Sequence, residues 1–226
     1  MRLFSGFKRI FSASQVKSMV QRLFDEMPPE ADARIPYGDD PLQFGDLRLP
    51  KDAGEGPYPI VIVIHGGFWK SKYTLAHIGH LAAALTAEGV ATWSIEYRKI
   101  GDEGGAWPNT MLDVGKACDH LRVIAEQYNL NTERVVVTGH SAGGHLAAWV
   151  AARHNIPEGD PLYMDDPFVV DATVPLAGVV DLHLCWKMRL SNGIVEQLIG
   201  GTPQQMPERY ESASPGSLLP LGVKQR

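Results

Sequence analysis

The run from Pro59 to Ile64 constrains the fold more than any other segment of the chain. It reads PIVIVI, six consecutive apolar residues of which five are isoleucine or valine. A strand with one face in water alternates apolar and polar residues, so an unbroken run indicates a strand covered on both faces, as in a parallel sheet. Arg134 to Thr138 predicts a second, short buried strand. Helices are therefore expected on both sides of the sheet.

Helical and strand patterns alternate along the rest of the chain. In chain order they predict loose antiparallel strands over 33–50, a helix over 74–87 capped by Gly89, a strand over 90–97, a helix from Pro108, a helix over 142–154, a strand over 172–180 and a helix over 192–199. Strands that alternate with helices imply the α/β class, with a doubly wound, mostly parallel sheet.

The length of 226 residues suits one α/β domain, over residues 31–226, behind a helical extension over residues 1–30. In that extension, residues 12–26 predict an amphipathic helix that Pro28 and Pro29 end. For residues 1–24, which include Phe4, Phe7 and Phe11, a helix docked on the domain or a frayed extension is favoured, and a helix on a membrane surface is the alternative. The chain lacks the roughly 20 consecutive apolar residues of a membrane span.

Charge and cysteine content exclude several partner classes. The formal net charge is −5, whereas nucleic-acid binding requires a basic surface, so no nucleic-acid partner is expected. The two cysteines, Cys118 and Cys185, have no metal-ligand spacing. We therefore expect no metal, no cofactor and a reduced, cytoplasmic setting. Cys118 is interpreted as a small buried residue of a helix.

The segment Gly139-His140-Ser141-Ala142-Gly143 is the main candidate for chemistry. It satisfies G-x-S-x-G between a valine-rich strand and an alanine-rich helix, where the chain must reverse sharply. The serine is then exposed at a helix N-terminus, where N–H groups favour an oxyanion. Ser141 is the predicted nucleophile and the Ala142 amide the first oxyanion donor. A plain tight turn with a capping serine is the alternative.

A second motif, His65-Gly66-Gly67-Phe68-Trp69, follows the first buried strand. It matches the HGG-type loop that supplies the other oxyanion donor. Gly67 and Phe68 are the expected amide sources and Gly66 permits the bend, while His65 orients the loop. Phe68 and Trp69 are candidates for the substrate-binding wall, with ordinary core aromatics as the alternative.

Together, HGGFW, Glu96-Tyr97-Arg98 and GHSAGGHLAAWVA resemble the esterase/lipase branch of the α/β-hydrolases. The similarity is greatest to arylformamidase (kynurenine formamidase) and to BD-FAE-like feruloyl and acetyl esterases. Tyr37-Gly38 and Asp46-Leu47 fit the same pattern, and the resemblance covers residues 33–226. It implies a small-molecule ester or amide substrate. The pair Tyr97-Arg98 is interpreted as structural, with the arginine bridging loops behind the site.

The triad of this fold runs serine, acid, histidine along the chain. After Ser141 the sequence offers His145, His154 and His183, of which the first two belong to the nucleophile helix. Asp181 and His183 could form a working pair, but a structural role for Asp181 is favoured. The resemblance places both missing members beyond residue 226, so we expect a truncated chain whose sheet lacks its last strands and helix.

Two functional hypotheses follow. The first is a hydrolase of carboxylic esters or aryl formamides that forms an acyl-enzyme on Ser141. The second is a catalytically impaired, hydrolase-like binding protein that lacks the triad acid and histidine. The open sheet edge also invites pairing with a second copy, so a homodimer is one arrangement the sequence allows. Trp186, Met188 and Leu190 are candidate pocket residues.

Overall fold

The computed structural model describes Ser12, residues 26–51 and residues 53–225, with side chains up to residue 223. The helix predicted over 12–26 lies outside the described residues except for its two ends. Within the described residues, no helix combines the length and the apolarity that crossing a membrane requires.

Seven strands form one sheet in this part of the chain. They are β1 (Ala33–Pro36), β2 (Phe44–Arg48), β3 (Tyr58–Ile64), β4 (Ala91–Ile95), β5 (Leu130–His140), β6 (Ala172–Leu176) and β7 (Lys224–Gln225). Their order is β1-β2-β4-β3-β5-β6-β7. The two pairings made by β2 are antiparallel and the other four are parallel. The mostly parallel sheet predicted from the sequence is confirmed.

The described residues contain seven α-helices. They are α1 (Ala76–Ala87), α2 (Asn109–Asp119), α3 (Leu121–Tyr128), α4 (Ala142–Ala152), α5 (Leu182–Lys187), α6 (Ile194–Ile199) and α7 (Pro207–Ala213). The single helix expected from Pro108 is divided at His120, where the Val123 N–H donates to the His120 carbonyl at 2.9 Å. The short helices α5 and α7 were not predicted from the sequence.

The nucleophile helix α4 lies at the centre of the fold. All eleven of its residues are buried. Small side chains, mostly alanine and glycine, let it pack closely against β5 and β6. This packing fixes the turn between β5 and α4 at the carboxyl end of the parallel strands, where sites of open α/β sheets form.

The open edge of the sheet lies at β6 and β7. Beyond Leu176 the chain leaves the strand that was predicted to continue to residue 180. The segment after Ser214 forms a 3-10 turn over Pro215–Leu218. It leads into β7, which pairs with Ala172 and Thr173 only. A two-residue strand therefore follows the segment after Ser214.

Candidate active site

Ser141 occupies the turn between β5 and α4 in a strained conformation. Its φ and ψ are 56° and −115°, in a region that non-glycine residues rarely adopt. The Ser141 N–H donates to the Leu176 carbonyl at 2.9 Å, and its carbonyl accepts from the His145 N–H at 3.0 Å. Strain of this kind persists only where the surrounding structure enforces it, and it is typical of functional sites.

Two glycines allow this turn to form. A Cβ at Gly139 would lie 2.3 Å from the carbonyl oxygen of Gly143, and one at Gly143 would lie 2.1 Å from the carbonyl oxygen of Ile64. Backbone atoms cannot move aside as a flexible side chain can. Both ends of the motif therefore require glycine because the backbones of the turn and of β3 touch.

The loop after β3 lies directly against the serine turn. A Cβ at Gly66 would come within 2.4 Å of the His140 carbonyl oxygen. Gly67, Phe68 and Trp69 all have positive φ, at 116°, 57° and 53°. The Lys70 N–H donates to the Gly67 carbonyl at 3.0 Å and closes the loop. The two sequence motifs are thus neighbours in space.

A cavity of about 140 Å³ opens beside Ser141. Its lining comprises Phe68, Trp69, Ser141, Ala142, Val179, Cys185, Leu190, Ser191 and Ile194. Five of these residues were candidates from the sequence, Leu190 among them, whereas Gly66 and Gly67 are not part of the lining. The walls from Val179 to Ile194 were missed, apart from Leu190, because no local motif marks them.

The loop is anchored by a buried polar network centred on Glu96. His65 Nε2 lies 2.9 Å from Glu96 Oε1, and the buried Lys99 ammonium donates to the same oxygen. Glu96 Oε2 accepts from the Leu75 N–H at 2.9 Å. Burial alone would raise the pKa of Glu96, but the hydrogen bonds and charges of His65 and Lys99 lower it to about 2. The carboxylate is therefore ionised at neutral pH.

The residues that follow Glu96 have structural contacts. The Tyr97 hydroxyl donates to the His65 carbonyl at 2.8 Å. The Arg98 guanidinium forms a two-point contact with Asp113, at 2.8 and 2.7 Å, and so ties the loop after β4 to α2. Gln43 donates to the same carboxylate at 2.6 Å. These contacts lie behind the serine turn and hold its neighbours in place.

Two of the three histidines that follow Ser141, His145 and His183, have partners other than the serine. His145 is buried between the Trp69 indole N–H, at 3.3 Å, and the Ala213 carbonyl oxygen, at 2.9 Å. His183 Nε2 lies 3.2 Å from Glu211 Oε1. Asp181 caps α5 by accepting from the Leu184 N–H at 2.9 Å. Within the described residues, no histidine or carboxylate hydrogen-bonds to the Ser141 hydroxyl.

Of the other candidate pocket residues, Trp186 and Met188 do not line the cavity. The Trp186 indole donates to Glu196 Oε1 at 2.6 Å, and Met188 is exposed. The described residues also hold no group of three or more histidine, cysteine, aspartate or glutamate side chains able to bind a metal ion.

Comparison with known protein families identifies the family of this chain. The BD-FAE family model matches residues 46–219, which include the HGG loop and the serine turn. The chain belongs to the BD-FAE family. The α/β-hydrolase esterase family that the sequence motifs resemble is thus confirmed.

Among the relatives of this BD-FAE chain is esterase LipC of Mycobacterium tuberculosis. It is 30% identical over 190 residues, which are 80% of this chain and 46% of LipC. A kynurenine formamidase of Danio rerio is 29% identical over 136 residues, or 60% of this chain and 41% of that protein. The chain thus spans less than half the length of either relative.

A solved structure shares the fold of this BD-FAE chain. It is a truncated form of a carbohydrate esterase from gut microbiota, with a TM-score of 0.70 and 25% sequence identity. The match covers 88% of this chain and 77% of that one.

Proposed function

We propose that this chain carries the acyl-transfer site of a serine hydrolase for carboxylic esters or aryl formamides. The observation that supports it best is that Ser141, in its strained turn, shares one small cavity with Phe68 and Ala142. The proposed nucleophile and two residues proposed to supply oxyanion N–H groups therefore line the same cavity. Acyl transfer requires this combination.

The proposed reaction has two steps. Ser141 Oγ attacks the acyl carbon and forms an ester bond, and the alcohol or amine leaves with a proton. Water then attacks the acyl-enzyme, which releases the acid and restores the serine. The amides of Ala142 and of Gly67 or Phe68 hold the oxyanion in both steps, and Gly66 provides the bend that brings the loop close.

The relatives support both bond classes. LipC is named an esterase, and the Danio rerio relative is named a kynurenine formamidase. Ester and formamide carbonyls pass through the same kind of tetrahedral oxyanion, so one oxyanion site serves either. For the proton of Ser141 we propose an acid and a histidine supplied by sequence that follows residue 226, as the family resemblance implies.

A fluorophosphonate probe tests the proposal, because it bonds covalently to an activated serine. We expect labelling of Ser141, located by peptide mass spectrometry, and no labelling of Ser141→Ala. Ser191→Ala is the matched control, since Ser191 lines the same cavity and the variant keeps Ser141. The measurement is made on this chain and on a chain extended by the sequence encoded after residue 226. No labelling of Ser141 in either would refute the proposal.

The same site allows a second function, binding without turnover. It is favoured by the engagement of His145 and His183 with other partners. In that case the protein binds p-nitrophenyl acetate, fails to hydrolyse it, and behaves identically as Ser141→Ala. A serine-dependent release of p-nitrophenol excludes this function.

A further inference from the structure

The cavity beside Ser141 is small and uncharged. Its volume is about 140 Å³, and its lining contains no lysine, arginine, histidine, aspartate or glutamate. A cavity of about 150 Å³ lined by apolar side chains accommodates benzene, a group of about six carbons. Typical pockets for larger ligands are at least twice that size, at about 300 Å³ or more.

The segment from α5 to α6 forms one wall of the cavity, through Cys185, Leu190, Ser191 and Ile194. Cys185 and Ile194 are buried at 3% and 1% exposure and form its inner part, while Leu190, 42% exposed, lies at its rim. Phe68, from the HGG loop, also lines the cavity and is 43% exposed. The cavity therefore has a closed apolar end and an open end.

Two contacts hold this wall in place. Trp186 on α5 donates to Glu196 on α6 at 2.6 Å. The Trp107 N–H donates to the Leu198 carbonyl at 2.9 Å, which attaches the end of α6 to the start of α2. The first contact joins the two helices of the wall and the second attaches α6 to the rest of the domain, so the side chains of the wall set the depth of the cavity.

We infer that Cys185, Leu190 and Ile194 determine acyl specificity and restrict the substrate to uncharged acyl groups of no more than about six carbons. The inference rests on the proposed function, since it assigns the closed end to the acyl group and the open end to the leaving group. A charged acyl group such as succinyl is disfavoured because its carboxylate would be buried without a partner. Longer chains exceed the available volume.

A series of p-nitrophenyl esters tests the inference. For the parent chain, kcat/KM should rise by about fourfold per methylene from acetate to butanoate, because each buried methylene adds to binding. It should then fall at least tenfold from hexanoate to decanoate. The succinate monoester should react at least tenfold more slowly than the butanoate.

Variants of the wall provide the decisive comparison. Ile194→Ala deepens the cavity and should shift the acyl chain length with the highest kcat/KM by about two carbons. Leu198→Ala is its control: Leu198 is buried in the same helix but lies outside the lining, so this variant should keep the parent's preferred chain length. Leu190→Ala shortens the exposed rim and should raise decanoate turnover. Its matched control is Leu184→Ala, which is also exposed and lies outside the lining, so the test survives if Ile194→Ala does not fold.

The outcomes separate the inference from the proposed function. Equal turnover of hexanoate and decanoate by the parent, or identical profiles for the wall variants and their controls, overturns the inference. If no ester is turned over and Ser141 is labelled neither in this chain nor in the extended chain, the proposed function fails. Isothermal titration calorimetry with Ser141→Ala then tests the limit on acyl size. Tighter binding of the butanoate ester than of the decanoate ester supports the inference, and equal binding overturns it.

Discussion

His65 Nε2 lies 2.9 Å from Glu96 Oε1, and neither side chain is more than 1% exposed. The same carboxylate accepts from the Leu75 N–H before α1 and from the Tyr97 N–H, at 2.9 and 3.1 Å. One ionised group thus joins the loop after β3, the end of β4 and the start of α1. The position of the HGG loop against Ser141 depends on it.

The first prediction concerns Glu96. Its pKa of about 2 in the folded chain lies below the value of about 4.5 expected when unfolded, so ionisation stabilises the fold. This stability is fully present above pH 4.5 and is lost as the pH falls towards 2. At about 1.4 kcal/mol per pKa unit the contribution is ~3 kcal/mol. Glu96→Gln should therefore lower the free energy of unfolding by ~3 kcal/mol at pH 7, measured by urea denaturation.

The control for this variant is Glu103→Gln, since Glu103 is exposed. It should unfold like the parent at every pH. The difference in stability between the parent and Glu96→Gln should shrink as the pH is lowered from 5 to 3. A difference that stays constant over that range would contradict the role given to the ionised carboxylate.

The second prediction concerns His145. Burial lowers its pKa to about 4, although the hydrogen bond to the Ala213 carbonyl opposes the shift. Because an unfolded histidine titrates near pH 6.5, the neutral ring stabilises the fold above that pH. This stability is lost as the pH falls from 6.5 to 4, by ~3 kcal/mol in all.

Urea denaturation between pH 7 and 4 measures this loss. His145→Gln should be less stable at pH 7 but should show a flatter dependence on pH in that interval. The exposed His154 provides the matched control, His154→Gln, which should unfold like the parent. If His145→Gln keeps the full slope, another group is responsible for acid destabilisation.

The third prediction concerns the contact between the serine turn and β3. A Cβ at Gly143 would meet the carbonyl oxygens of Ile64 and His65 at 2.1 and 2.7 Å. Gly143→Ala must therefore push the turn away from the HGG loop. We expect a loss of about 2–3 kcal/mol in the free energy of unfolding, as for other overpacked sites, together with slower fluorophosphonate labelling of Ser141.

Gly201→Ala is the comparison for this variant. The nearest atom to its new Cβ would be Met206 Cγ at 3.0 Å, and that side chain can move. It should change stability by less than about 1 kcal/mol. Equal effects of the two substitutions would show that the close approach at Gly143 does not constrain the turn.

Local patterns were sufficient for the central part of the fold. The run from Pro59 to Ile64 and the segment Arg134 to Thr138 predicted strands β3 and β5, which lie side by side and parallel. The G-x-S-x-G spacing between a valine-rich strand and an alanine-rich helix predicted the turn at Ser141. These features are set by residues only a few positions apart, so they can be predicted from the sequence alone.

The sequence by itself thus determined the fold class, the family and the two motifs beside the cavity. Only the tertiary structure decided which residues close that cavity, because Cys185 and Ile194 reach Ser141 through packing of short helices without a strong pattern. It also decided the partners of His145, which lie 76 and 68 positions away at Trp69 and Ala213. Contacts between residues so far apart in the sequence form only when the core assembles, so local hydrophobic periodicity does not predict them.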